Sequence, residues 1–133
     1  MSEADNLELV AQGYAALERD DIPDFLELCA ADAEWHYPAH GMLAYGGVWR
    51  GHDAISAFFE AHDAAEEIVD VRLDELVADG DRVFVLGLFR GSAKPSSRAW
   101  ETAFVHVITL QDGLWHRFEA FFDTAAAVVA HQG

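Results

Sequence analysis

Residues 98–123 read RAWETAFVHVITLQDGLWHRFEAFFD, two runs rich in β-branched and aromatic side chains parted by Asp112-Gly113. An Asp-Gly pair in that setting predicts a two-residue hairpin turn, because both central positions need positive φ. Two antiparallel strands follow, 98–111 and 114–123. If Asp112-Gly113 is the whole turn, Gln111 faces Leu114, and counting outward sets His106 opposite Glu119. Arg117, Glu119, Asp123 and His106 then share one face with Trp100, Phe104, Trp115 and Phe121. Titratable groups among large aromatics suit a pocket wall, where burial moves pKa values toward neutral. The other face carries Val105, Val107, Phe118, Ala120 and Phe122, apolar enough for a core or a dimer contact. A bulge would move Asp123 to the other side.

Working outward, residues 67–78 and 82–92 predict two further strands, with Asp79-Gly80-Asp81 as the turn between them. The alternation of Val69, Val71 and Leu73 with Asp70, Arg72 and Asp74 marks a strand with one wet face. Upstream, residues 33–37 predict a short strand stopped at Pro38, and residues 39–50 a Gly- and aromatic-rich loop placed to act as a lid. A helix after Gly51 buries Ile55, Phe58 and Phe59, with His52 or Asp53 near its cap. Residues 6–19 repeat apolar positions at helical spacing (Leu7, Val10, Ala11, Tyr14, Leu17), with Asp5 as cap. Asp21, Pro23 and Asp24 announce a shorter helix to about residue 30, and residues 124–131 a terminal one. Helices first and strands afterwards give an α+β fold. A curved mixed, mostly antiparallel sheet with the N-terminal helices on its concave face forms a cone-shaped cavity.

The 133 residues suit one domain spanning 1–133, and the 52% hydrophobic content supplies a core. Twenty-four acidic residues against eight Lys and Arg leave a formal charge of -16, which repels nucleic acids and anionic lipid surfaces. Cys29 is the only cysteine, so neither an intramolecular disulfide nor a cysteine-based zinc site can form, as expected of a reducing, cytoplasmic compartment. Glu3, Asp5 and Glu8 stand where a signal peptide would need positive charge, and no run reaches membrane-span length.

The runs Gly13-Tyr14-Ala15-Ala16-Leu17, Asp32-Ala33-Glu34-Trp35-His36-Tyr37-Pro38, Trp49-Arg50-Gly51-His52-Asp53-Ala54-Ile55 with Phe58-Phe59, Phe104-Val105-His106-Val107, Asp112-Gly113 and Phe121-Phe122-Asp123-Thr124 stand in the order seen in SnoaL-like proteins. Across nearly its whole length the chain resembles the SnoaL-like and ketosteroid-isomerase-like branch of the nuclear transport factor 2-like superfamily. The resemblance implies the cone fold, a small hydrophobic ligand and a homodimer. It constrains chemistry less, since the superfamily holds isomerases, cyclases, dehydratases, epoxide hydrolases and binding proteins.

Steroid isomerases of this fold place a carboxylate base where this chain has Tyr37, a tyrosine where it has Gly13, and an acid where it has His106. All three differ, and a neutral phenol is a poor base at neutral pH. The Asp, Arg, Asp set of the epoxide hydrolases is matched only at Asp123. Polyketide cyclases pair an aspartate with a histidine in the C-terminal strands, which His106 and Asp123 match.

The candidate catalytic residues are therefore His106, Asp123 and Tyr14, the last a donor to a ligand carbonyl. A structural histidine paired to Glu119, a helix cap at Asp123 and a core phenol at Tyr14 are the competing readings. The candidate substrate contacts are Trp35, His36, Tyr37, Tyr45, Trp49, Phe58, Trp100, Phe104, Arg117 and Glu119. Trp35 and Tyr37 alternate with Glu34 and His36, so one of these pairs faces the cavity. His36, His40 and His52 lack paired metal-ligand spacing, and no metal is expected. No cofactor is required, because proton abstraction next to a carbonyl needs only a tuned base and an oxyanion donor.

Overall fold

The computed structural model describes residues 2–132. Helix α1 (Glu3–Glu18) starts at Ser2, whose hydroxyl accepts from the Asp5 amide while the Asp5 carboxylate accepts from the Ser2 amide. Ser2 is thus the cap, and Asp5, expected there, closes the box from inside the first turn. Asp21 caps α2 (Ile22–Glu27) as expected, with Pro23 in the first turn, but the helix ends three residues early. Strand β1 (Cys29–Tyr37) takes up the difference.

The expected loop 39–50 contains a strand, β2 (Gly47–Arg50), paired antiparallel to β1. Four residues are too few to show a period, which hides such a strand in sequence. Helix α3 (His52–Ala65) is capped by Gly51 at φ 87°, with no side-chain bond. His52 instead donates through Nε2 to the Cys29 carbonyl at 3.0 Å. Both expected hairpins form, with ends shifted by a residue at most: β3 (Glu66–Asp79) with β4 (Arg82–Ala93), and β5 (Arg98–Gln111) with β6 (Leu114–Phe122). Asp112 and Gly113 both take positive φ, the geometry that twists a tight turn to match its strands. Helix α4 (Thr124–His131) follows.

The sheet order is β2-β1-β6-β5-β4-β3, with β1 and β6 parallel and the other pairs antiparallel. Register shifts at Ile68/Asp70 and Leu73/Glu75 bend the long β3–β4 ribbon, since each extra residue increases local twist. The sheet is curved and unclosed, with β2 and β3 at its edges. Contrary to the expected single wet face, β3 is exposed on both sides, with Val69 60% and Val71 43% accessible. Asn6 and Glu3 of α1 hold the tip of this ribbon, through Nδ2 to the Gly80 carbonyl and through Oε2 from the Gly80 amide.

An aromatic stack anchors the core. Trp35 lies 3.8 Å from Phe118 at 7° and edge-on to Phe25, and Trp115 meets Phe25 edge-on at 5.0 Å. Gly13 allows α1 to approach this stack, because a Cβ there would sit 2.3 Å from the Trp115 ring. Trp115 completes the contact by donating from Nε1 to the Leu9 carbonyl at 3.2 Å. Among the described residues no helix is long and apolar enough to cross a membrane.

Candidate active site in an aromatic cavity

The β5–β6 register decides which side chains enter the cavity. A shift between Thr109 and Leu110 gives β6 one extra residue, so Thr109 faces Arg117, Val107 faces Glu119 and His106 faces Ala120. The expected His106–Glu119 opposition is therefore corrected, and the two faces are exchanged beyond the bulge. Phe118, Ala120 and Phe122 join His106 and Phe104 on the inner face, while Arg117, Glu119 and Phe121 turn outward. Arg117 and Glu119 pair with each other at 3.1 Å on the outer surface, and neither lines the cavity.

A cavity of about 570 Å³ opens on the inner face. Tyr14, Trp35, Tyr37, Tyr45, Phe58, Trp100, Phe104 and His106 line it, as the sequence suggested. So do Phe118 and Phe122, which an uninterrupted register would put on the opposite face, and His62, which no sequence motif marks. Of the alternating β1 pairs, Trp35 and Tyr37 point inward. His36 is a further correction: its Nε2 lies 2.8 Å from Glu34 Oε1, on the other side of the strand. Trp49 also stands outside the lining; its Nε1 donates to the Tyr45 carbonyl at 3.2 Å and its ring supports Phe58.

Asp123 is corrected as well. Its carboxylate accepts from the Ala126 amide at 3.0 Å as the cap of α4, and it is exposed, away from the cavity lining. With the strand ending at Phe122, the carboxylate falls at the N-terminus of α4 and serves as its cap.

The remaining polar pair is close. Tyr14 on α1 and His106 on β5 are joined by a 2.6 Å hydrogen bond between the phenol oxygen and Nδ1. Their rings are parallel within 2°, and Phe104 stacks on the imidazole at 4.2 Å. Burial pushes the His106 pKa down to about 3 and that of Tyr14 well above the ordinary phenol value. Both groups are thus neutral around pH 7, since a low-dielectric site disfavours each charged form. His62 on α3 is driven down to about 4, chiefly by burial and then by the nearby His131.

Behind the cavity wall, the side chain of Glu66 is fully buried. Its Oε1 accepts from the Tyr45 hydroxyl at 3.1 Å and from Trp100 Nε1 at 3.0 Å. Nε2 of His131, on α4, lies 2.9 Å from the same oxygen, an ion-pair distance without the alignment of a hydrogen bond. The His131 Nδ1 is 2.8 Å from the Ala127 carbonyl, which only accepts, so Nδ1 carries a proton. Burial raises the Glu66 pKa, and its three neighbours oppose the rise. Nothing in the local sequence separates Glu66 from Glu67, and only the α3–β3 junction turns one of them inward.

Residues 10–118 match the SnoaL-like domain family, and the chain belongs to that family, within the nuclear transport factor 2-like superfamily. It is similar to an NTF2-like protein of Burkholderia xenovorans LB400, at 31% identity over 99% of both chains with a TM-score of 0.91. An NTF2-like protein of Burkholderia pseudomallei K96243 is 33% identical over 100% of both, with a TM-score of 0.86. TerC, co-crystallised with polyporic acid, is 30% identical over 97% of this chain and 99% of its own, with a TM-score of 0.83.

Proposed function

We propose that this protein binds an uncharged, carbonyl-bearing hydrophobic molecule in the cavity and moves a proton between the carbon next to that carbonyl and the carbonyl oxygen. The carrying observation is the 2.6 Å Tyr14–His106 hydrogen bond within an aromatic cavity. In the tautomer with the proton on Nδ1, that N–H donates to the phenol oxygen, the phenol O–H donates to the ligand carbonyl, and Nε2 is free to accept. Enolisation then runs as a relay. Nε2 takes the α-proton, Nδ1 passes its proton to the phenol oxygen, and the phenol proton goes to the carbonyl oxygen. The ligand becomes a neutral enol and the pair ends in its other tautomer. Running the relay backward with delivery to a different carbon isomerises the ligand and resets the pair.

No imidazolium or phenolate is needed, which fits a site where burial disfavours both. No cofactor takes part in this scheme. The co-crystallisation of the similar TerC with polyporic acid supports an organic ligand for this cavity. Phe84, Leu86, Val105 and Phe121 form an apolar strip on the outer face, and we assign it to a homodimer contact. The lone, buried Cys29 supports a reducing, cytoplasmic setting.

A second reading, ligand retention without chemistry, is favoured by the weak basicity of His106. Hydrogen–deuterium exchange at the α-carbons of 2-tetralone, followed by NMR, separates the two. Catalysis predicts accelerated exchange by the wild type, cut about 10²- to 10⁴-fold in Tyr14→Phe and in His106→Gln. Binding of 2-tetralone without acceleration would establish the second reading.

A further inference from the structure

The Tyr14–His106 pair shares one hydrogen bond, but two other polar side chains in the same cavity make none. Tyr37 and His62 both line it, with rings 6.2 Å apart. Among the described residues no hydrogen bond reaches the Tyr37 hydroxyl or the His62 imidazole, and neither is sealed among the fully enclosed orphan atoms. Two polar side chains that line one aromatic hollow without a protein partner mark a place where a ligand atom can complete the bonding.

We propose that the cavity grips its ligand at two polar points, with Tyr37 and His62 holding one oxygen and Tyr14 with His106 the other, across a flat aromatic body. The proposal rests on the cavity being a small-molecule site and deepens that reading by naming the ligand class. The spacing is supplied by Phe118. Its ring lies between the two points, 4.6 Å from His106 and 6.2 Å from Tyr37 and nearly parallel to the latter at 12°, with Trp35 stacked on one of its faces. Phe122 flanks Tyr37 at 5.6 Å. A planar ring system suits a cavity lined by such rings, through edge or offset contacts.

The ligand's oxygens are uncharged. Glu18, Asp20, Asp63 and Asp70 reach the lining while no Lys or Arg does, so a carboxylate or phosphate would meet repulsion and find no counter-charge. His62 is neutral at pH 7 and offers one donor and one acceptor, and Tyr37 offers a hydroxyl. The class is thus an aromatic diol or hydroxyketone with oxygens at opposite ends.

The test compares 2,6-dihydroxynaphthalene, 2-naphthol and naphthalene, all neutral at pH 7, by calorimetry or fluorescence. Two-point holding predicts that the diol binds about tenfold more tightly than 2-naphthol. In Tyr37→Phe/His62→Phe that advantage disappears, while naphthalene affinity and the far-UV spectrum stay unchanged, showing an intact cavity. Equal affinity of diol and 2-naphthol for the wild type, or an advantage that survives in the double variant, would overturn the proposal. If naphthalene binding is lost, Tyr37→Phe alone, which removes one oxygen, must weaken the diol several-fold or the proposal fails. The 2-tetralone exchange assay stands apart: its failure removes the proton relay and leaves two-point binding standing, and the converse holds.

Discussion

At the residue scale, the chemistry follows from how each polar side chain is buried. His62 and His106 are neutral imidazoles with folded pKa values of about 4 and about 3, against about 6.5 unfolded. Between those values the unfolded chain binds more protons, so stability falls as pH drops below about 6.5 and goes on falling toward 3. Glu66, with a raised pKa, acts in the opposite sense, contributing stability at low pH that is lost as pH rises through its folded value. Urea melts should show a decline from pH 7 to 4 that is shallower in His62→Phe, and an equal slope in that variant would contradict the assignment. Glu66 also joins the Tyr45 and Trp100 walls beside His131 of α4, and Glu66→Ala leaves the Tyr45 hydroxyl and Trp100 Nε1 without their acceptor. It should cost about 3 kcal/mol in the same measurement, whereas a loss below 1 kcal/mol would deny Glu66 that role.

At the scale of elements, the parts legible in the sequence are those decided locally. Asp112-Gly113, Gly80 and Pro23 act through their own backbone preferences, and each hairpin or helix start stands where those preferences put it. The β6 bulge is different, because it arises from competition between two ladders: β6 pairs parallel to β1 and antiparallel to β5 at once. No residue near His116 announces it. The face assignment of Arg117, Glu119 and Phe118 was therefore unreadable, although His106, Phe104 and Trp100, all on β5, were identified. Gly13 is an element-scale requirement too: Gly13→Ala drives a methyl into Trp115 and should cost about 1–3 kcal/mol by overpacking. An unchanged melting temperature would mean that α1 moves away freely.

At the scale of the molecule, helices over one face of a bent sheet leave a hollow that the aromatic core does not fill. The α+β order and the family resemblance anticipated this shape, since both depend on the sequence of elements and not on register. The outer face is the second consequence of curvature, with Leu86 37% and Phe121 52% exposed in an apolar strip. Sedimentation should find a dimer that Phe121→Glu converts to monomer, because a carboxylate opposite its own copy is both desolvated and repelled. A monomeric wild type would remove the dimer from the account.

The claim beneath all of this is that an uncharged imidazole, bonded to a phenol, faces an apolar hollow. ¹⁵N NMR of histidine-labelled protein reads it directly. The His106 resonances should hold their neutral pattern from pH 7 to pH 4 and shift when 2-tetralone is added. Titration near pH 6.5 with no response to the ketone would contradict it.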